Sequence, residues 1–397
     1  MSLPPGEHRT MSAGAGTGAG RRGKILFSVN TAWNAANFRV GLLSRLMAAE
    51  YEIVIAAPQD EHVARLQALG CRFIDLPLQA HGRSPIADLD LLRRYLRIFR
   101  AERPDIFMGF TAKPNIYGSL AAAIMAVPTI NNIAGLGTVF NEHGVTNLVL
   151  RRLYRLALAR AHRVFFQNRE DMALFTGSGI APADRAEVLP GSGVDLVRFA
   201  PAPPESRAAG EPVTFLLVGR LLRDKGVAEF VAAGDRVRST LPDVRLQILG
   251  FTDDGNPAFV QQHELQSWEA QGRATYFEPT VDVRPFMAAA DCVVLPTYYP
   301  EGTPRALLEA AAMGKPIITT DTAGCRTVLI DGVSGFLVPP RDVTALADRM
   351  LAFAALPAEA RAAMGRASRD HAKRAFDETI IANRYLAAIG ALPCGRS

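Results

Sequence analysis

Glu301 and Glu309 stand with seven residues between them in the stretch Tyr298-Tyr299-Pro300-Glu301-Gly302-Thr303-Pro304-Arg305-Ala306-Leu307-Leu308-Glu309. An apolar strand pattern ends at Pro296, just before it. Thr303 suits the N-cap of a helix that Pro304 opens and that Gly314 ends ahead of Pro316. Glu301 then lies in the loop before the helix, and Glu309 about 7 to 8 Å farther along the axis. Free amides at Gly302 and Thr303, aided by the helix dipole, make an anion site suited to a diphosphate. The flanking carboxylates can accept hydrogen bonds from hydroxyl pairs, one on a sugar and one on a ribose. A glutamate pair at this spacing is commonly two solvated charges, and its loop-and-cap context is what singles it out.

A second group, Gly219-Arg220-Leu221-Leu222-Arg223-Asp224-Lys225-Gly226, directly follows the apolar run Val213 to Val218. Arg220 and Lys225 share a strand-to-helix loop, from which two cations can reach one pair of phosphates. Basic loop residues are usually only solvated; position at the carboxyl end of a strand favours the ligand reading.

The elements that must hold these residues are short β-rich runs alternating with helical patterns, which predicts parallel sheets flanked by helices. In the first half the runs are Lys24–Val29, Tyr51–Ala57, Cys71–Leu76, Asp105–Phe110, Val127–Ile133 and Arg163–Gln167. In the second half they are Val213–Gly219, Val244–Gly250, Ala274–Phe277, Asp291–Pro296, Ile317–Thr320 and Gly335–Val338. The Pro-rich segment from Pro201 to Arg207 separates the halves and reads as a linker. A chain of 397 residues is long for one core. The expectation is an α/β fold of two Rossmann-like doubly wound domains facing a central cleft, with ligands at the carboxyl ends of the strands. The divisions are a disordered tail (1–22), a first Rossmann-like domain (23–200), a linker (201–212), a second Rossmann-like domain (213–375), and a C-terminal helix (376–397) free to cross back to the first domain.

Composition excludes several classes. Apolar residues make up 49% of the chain, yet no apolar run reaches the roughly 18 to 20 residues of a membrane span. Residues 1–22 lack the apolar core of a signal peptide, and Met11 could serve as an alternative start. Cys71, Cys292, Cys325 and Cys394 lie far apart, which fits reduced cytoplasmic thiols rather than a metal site. Residues 1–200 hold 23 Lys and Arg against 16 Asp and Glu, a net +7, whereas the remainder holds 21 against 23, a net −2. Arg93, Arg94, Arg97 and Arg100 form one basic helical stripe, and Arg151, Arg152, Arg155, Arg160 and Arg163 another. Such stripes suit an anionic membrane surface or an anionic acceptor, the alternative being solvated helix faces. Nucleic acid is not expected, since no nucleic-acid module accompanies the charge.

From Lys24 to about Leu386 the chain resembles the retaining glycosyltransferases of family 4, which have the two-domain GT-B architecture. The resemblance rests on Arg220 and Lys225, on Glu301 to Glu309 as a Glu-x7-Glu motif, on Gly335-Phe336-Leu337-Val338-Pro339, and on Val188 to Asp195 with Phe199. It implies that Arg220 and Lys225 hold a donor diphosphate, that Glu301 contacts the transferred sugar, and that Glu309 binds the ribose. It also implies UDP as the donor nucleotide ahead of GDP.

Thr111-Ala112-Lys113-Pro114-Asn115-Ile116-Tyr117-Gly118, Gly135-Leu136-Gly137 and Asn37-Phe38-Arg39 are similar to enzymes that extend undecaprenyl-diphosphate-linked sugars. In that branch the products feed O-antigen, capsule, exopolysaccharide or glycoprotein assembly. The implied acceptor residues are Phe38, Arg39, Thr111, Lys113, Asn115, Gly135 and Gly137. The implied acceptor is a polyprenyl-diphosphate-linked saccharide, met by a cytoplasmic enzyme held peripherally at the inner face of the plasma membrane. The chain departs from many relatives in having Asn34-Ala35-Ala36-Asn37 where a Gly-Gly pair is usual, and no histidine after the fourth strand. No cofactor or metal is expected: the spacing Asp88-Leu89-Asp90 begins the basic helix rather than a strand-end loop. Other readings of the same residues are a GT-B-fold epimerase, a pyridoxal-dependent phosphorylase, and a nucleotide-sugar-binding protein without catalysis.

Overall fold

The computed structural model describes residues 22–78, 84–136, 145–202 and 211–392. The expected tail up to residue 21, Gly137, most of the linker and Cys394 lie outside the described residues.

Seven parallel strands form the first sheet: β1 (Gly23–Ser28), β2 (Tyr51–Ala57), β3 (Arg72–Asp75), β4 (Ile106–Phe110), β5 (Thr129–Ile133), β6 (Arg163–Phe166) and β7 (Ala186–Val188). Their spatial order is β3-β2-β1-β4-β5-β6-β7. Six more form the second sheet: β8 (Thr214–Val218), β9 (Arg245–Leu249), β10 (Thr275–Phe277), β11 (Cys292–Leu295), β12 (Ile317–Thr320) and β13 (Gly335–Val338), in the order β10-β9-β8-β11-β12-β13. Strand β7 is not among the runs read from the sequence. Its three residues, Ala-Glu-Val, are half-buried at the sheet edge and carry no apolar pattern.

Helices cover both faces of each sheet, so the central strands are buried without alternation, even where β5 carries the polar Thr129, Asn131 and Asn132. Every residue of β4, β5 and β8 is buried. Side-chain caps set several helix starts, as where Thr31 accepts from the Asn34 amide and Asn168 from the Asp171 amide.

In each sheet the strand order reverses once, between β1 and β4 and between β8 and β11. The loops leaving those strands hold the residues singled out in the sequence: 29–39 and 111–113 in the first unit, 219–226 and 296–304 in the second. Reversal opens a crevice there, because the connections on the two sides lead to opposite faces.

The chain passes between the units twice, side by side. The Val194 amide donates to Phe376 O at 2.7 Å and the Glu378 amide to Val194 O at 3.1 Å. Phe199 is buried in the second core, while the helix Glu378–Gly390 places Ile381, Tyr385 and Ile389 in the first.

Candidate active site between the two sheets

On the second unit's side, Lys225 closes a single 3₁₀ turn over Arg223–Lys225. Gly226 follows with φ +77°, and a Cβ there would stand 2.3 Å from Pro296 O, so glycine is what lets the turn abut the end of β11. The amides of Tyr298 and Tyr299 donate to Asp224 O at 2.8 and 3.0 Å, lacing the two loops together. Lys225 is 7% exposed, and its Nζ forms an ion pair with Glu301 Oε1. Thr297 Oγ1 donates to the same oxygen at 3.2 Å. The expected phosphate-binding and sugar-binding residues therefore meet at one point. Arg220 is exposed at the mouth of the loop, apart from that buried pair.

The helix after β11 runs Arg305–Ala312, with Pro304 as its N-cap. Thr303 is thus not the cap and Pro304 is not helical; Pro304 has ψ 122°, which keeps it extended. Nor are the Gly302 and Thr303 amides free. Gly302 N donates to Ala134 O at 3.1 Å and Thr303 N to Gln167 Oε1 at 3.0 Å, both across the cleft. Groups from the first unit occupy these donors because its loops press directly on them. A Cβ on Gly302 would lie 2.2 Å from Gln167 Oε1, and one on Gly135 only 2.5 Å from Gly302 N.

Glu309 faces Arg305, four residues back, at 2.9 Å. Burial pushes the Glu309 carboxyl above its usual range, and Arg305 opposes that shift. Arg305 also donates to Gly193 O at 2.5 Å and lies 5.7 Å over the Phe38 ring, tying the glutamate to the crossing segment and to the first unit. Phe38 and Arg305 line a cleft of about 560 Å³ together with Arg45, Arg65 and Arg198.

On the facing side the expected acceptor residues separate into three groups. Arg39 and Thr111 come together at the β1–β4 reversal, with Arg39 stacked 4.5 Å over Phe110. Gly135 touches the Glu301–Gly302 backbone. Lys113 is instead engaged with Asp88 at 2.8 Å, and Asn115 is buried beneath the sheet end. Asn115 donates to Asn132 O and accepts from Asn131 Nδ2, which corrects its assignment as an acceptor contact: it is spent on an internal network. The second arginine stripe is corrected in part, since Arg151 and Arg155 donate to Ser178 and Gly179 at the end of the helix Arg169–Gly177.

Sequence reasoning missed Arg305 and Gln167. The spacing of Arg305 from Glu309 could have revealed the pair. Gln167 offered no local signal beyond its place at the end of β6.

Two doubly wound units whose reversal loops confront each other across a cleft define the GT-B fold. The Glycosyl transferase 4-like domain model matches residues 35–192 and the Glycosyl transferases group 1 model residues 212–355. The chain belongs to glycosyltransferase family 4. It is 26% identical over 367 residues to the N,N'-diacetylbacillosaminyl-diphospho-undecaprenol alpha-1,3-N-acetylgalactosaminyltransferase of Campylobacter jejuni, covering 88% of this chain and 94% of that one. It is 25% identical to the UDP-Gal:alpha-D-GlcNAc-diphosphoundecaprenol alpha-1,3-galactosyltransferase of Escherichia coli, over 68% of this chain and 71% of that one. Among solved structures, Anabaena HepE in complex with UDP and glucose superposes with a TM-score of 0.77 at 20% identity, covering 94% of this chain and 100% of that one.

Proposed function

We propose that the protein transfers a sugar from a UDP-linked donor, with retention of anomeric configuration, to a saccharide carried on a polyprenyl diphosphate. The reading is supported by the largely buried Lys225–Glu301 pair at the strand reversal of the second sheet, where a donor's diphosphate and transferred sugar would meet. Lys225 would neutralise charge growing on the leaving diphosphate, Arg220 would close over it from the mouth, and Glu301 would accept from a sugar hydroxyl. Electrostatic help of this kind at a preorganised site contributes several kcal/mol. Glu309, held by Arg305, would accept from the ribose. The acceptor belongs on the facing wall, near Phe38, Arg39, Thr111 and Gly135. Among the described residues no protein base stands out for the acceptor hydroxyl, and the departing phosphate oxygen would take its proton.

The acceptor class is supported by both named transferases, whose substrates are undecaprenol-linked. A membrane-surface role is supported by one face of the helix Pro85–Glu102. There Ile86 and Leu89 are 82% and 48% exposed, and exposed Arg93, Arg97 and Arg100 continue the stripe. No described helix is long and apolar enough to cross a membrane. Each such arginine near an anionic surface contributes about 1 kcal/mol, which suits reversible attachment.

The test is turnover of a panel of nucleotide sugars with membrane extract as the acceptor source, with and without chelator. The expected outcome is transfer from a UDP-sugar to lipid-extractable product with the donor's anomeric configuration, insensitive to chelator, and binding to anionic vesicles that salt weakens. Donor rearrangement without acceptor would identify an epimerase instead. Equal transfer to a soluble sugar together with indifference to anionic vesicles would remove the lipid acceptor and leave the transferase.

A further inference from the structure

Strand β11 ends at Leu295, and Thr297 follows it, wholly buried at the root of the loop that carries Glu301. Its backbone is pinned to the neighbouring strand, where the buried Thr320 hydroxyl donates to Thr297 O. Its own hydroxyl meets three groups. Tyr299 N donates to Thr297 Oγ1 at 3.2 Å, while Glu301 Oε1 and Asp224 O stand 3.2 and 3.3 Å from it as acceptors. A threonine hydroxyl has one proton, so it serves one of these two acceptors at a time. Asp224 O already accepts from the amides of Tyr298 and Tyr299 at 2.8 and 3.0 Å, which fills both of its lone pairs. A carboxylate also takes the stronger, charge-assisted bond. The proton therefore goes to Glu301.

The two oxygens of Glu301 are thus unlike. Oε1 is held from two sides, by Lys225 Nζ and by Thr297 Oγ1. Oε2 has no hydrogen-bond partner among the described residues, and 19% of the side chain's surface remains exposed. When Lys225 turns to a donor's diphosphate, as its flexible stem allows, one of the two donors on Oε1 is withdrawn. Thr297 cannot follow it, because β-branching and burial confine its hydroxyl. It is the donor that stays.

We infer that Thr297 is a positioning residue for the transfer: its hydroxyl keeps Glu301 Oε1 fixed while Lys225 serves the diphosphate, so that Oε2 stays presented to a hydroxyl of the transferred sugar. The inference rests on the transferase reading and adds to it a residue that touches neither substrate. Orientation of this kind is worth much at a reacting centre, where a displacement of about 1 Å can lower turnover by up to about a hundredfold.

The experiment compares Thr297→Val, which keeps the shape and removes the hydroxyl, with Thr297→Ser, which keeps the hydroxyl. Turnover is read with the UDP-sugar that the panel identifies and membrane extract as acceptor source, and UDP affinity by calorimetry. Thr297→Val should lower kcat roughly tenfold or more, while UDP affinity stays within about threefold because the hydroxyl bonds to neither Lys225 nor Glu309. Thr297→Ser should return kcat to within about threefold of wild type. In a Glu301→Ala background, Thr297→Val should lower kcat by less than about twofold further, since a residue acting through Glu301 has nothing left to position. Wild-type kcat in Thr297→Val overturns the inference. So does an equal loss in both backgrounds, or a serine variant no better than the valine one. Thr297→Ala repeats the comparison without setting a methyl against the Asp224 carbonyl. If neither the valine nor the alanine variant folds, the hydroxyl is structural and the inference is overturned as well. Wild type that turns over no nucleotide sugar strikes the transferase reading itself.

Discussion

On the second unit's wall of the cleft the largely buried charges come in pairs, Lys225 with Glu301 and Arg305 with Glu309. On the facing wall Arg39 is buried without a carboxylate, beside unmet oxygens of Asn30, Asn34 and Thr111. The paired wall is stable as it stands, and a ligand there must exchange one partner for another. The unpaired wall carries a desolvation cost that no described side chain offsets. Both lie at the strand reversals of similar sheets, so the difference comes from side chains and not from the fold.

Breaking the first pair should have the largest effect. Lys225→Met leaves Glu301 without its cation, and removing one partner of a buried pair costs about 3 to 5 kcal/mol. The expected result is a marked fall in melting temperature together with a roughly 10²- to 10³-fold loss of turnover, the usual loss for one oxyanion-stabilising donor. Adding Glu301→Gln should restore the melting temperature but not the turnover. Restored turnover in the double variant would mean that the pair is only structural.

Arg305→Met tests the second pair. Burial raises the Glu309 carboxyl, so the folded protein holds its proton more tightly than the unfolded chain. Ionised Glu309 therefore costs stability above its unfolded range, and that cost fades as pH falls through the raised value. The proposed ribose contact would be stronger to the ionised form, so on that proposal nucleoside diphosphate affinity should be full at neutral pH and fall on acidification. Without Arg305 the fall should begin at higher pH, and affinity at neutral pH should drop by about 1 to 3 kcal/mol. Calorimetry from acidic to neutral pH decides this; identical profiles for the two proteins would detach Arg305 from Glu309.

Gln167→Leu probes the contact that joins the walls. It releases the Thr303 amide from the first unit, a change of about 1 kcal/mol for one neutral hydrogen bond. Nucleoside diphosphate affinity should rise up to about fivefold if the amide then serves the phosphates, and the scattering radius should grow. Lower affinity would show that the closed contact itself supports binding. Glu170→Ala should matter least. Its ion pair with Arg326 also bridges the units, but both side chains are about half exposed, and such pairs contribute at most about 1 kcal/mol. Any change in melting temperature should vanish in high salt.

Much of this molecule was legible in its residues. The apolar runs marked all six strands of the second sheet and six of the seven in the first, because strands buried on both faces need continuous apolar side chains. Of Glu301, Glu309, Arg220 and Lys225, singled out for their place after strands, the structure brings Lys225 and Glu301 into contact. Strand β7 was not legible, since three half-buried residues at a sheet edge carry no pattern. Asn115 and Lys113 were misjudged for a related reason: position at a strand end does not say whether a side chain faces the cleft, the core or a neighbouring helix.

Local sequence determined all the strands but β7 and the residue types able to handle phosphate and sugar, because periodicity and turn chemistry act over a few residues. Pairing across the cleft was decided only by tertiary structure. Gln167 on Thr303, Ala134 on Gly302 and Arg305 over Phe38 join residues more than 100 positions apart, and neither partner signals the other in sequence. The unmet polar atoms at the β1–β4 reversal belong to the same class. Whether a buried oxygen or guanidinium has a partner depends on everything packed around it, which the chain settles only when its two sheets close on each other.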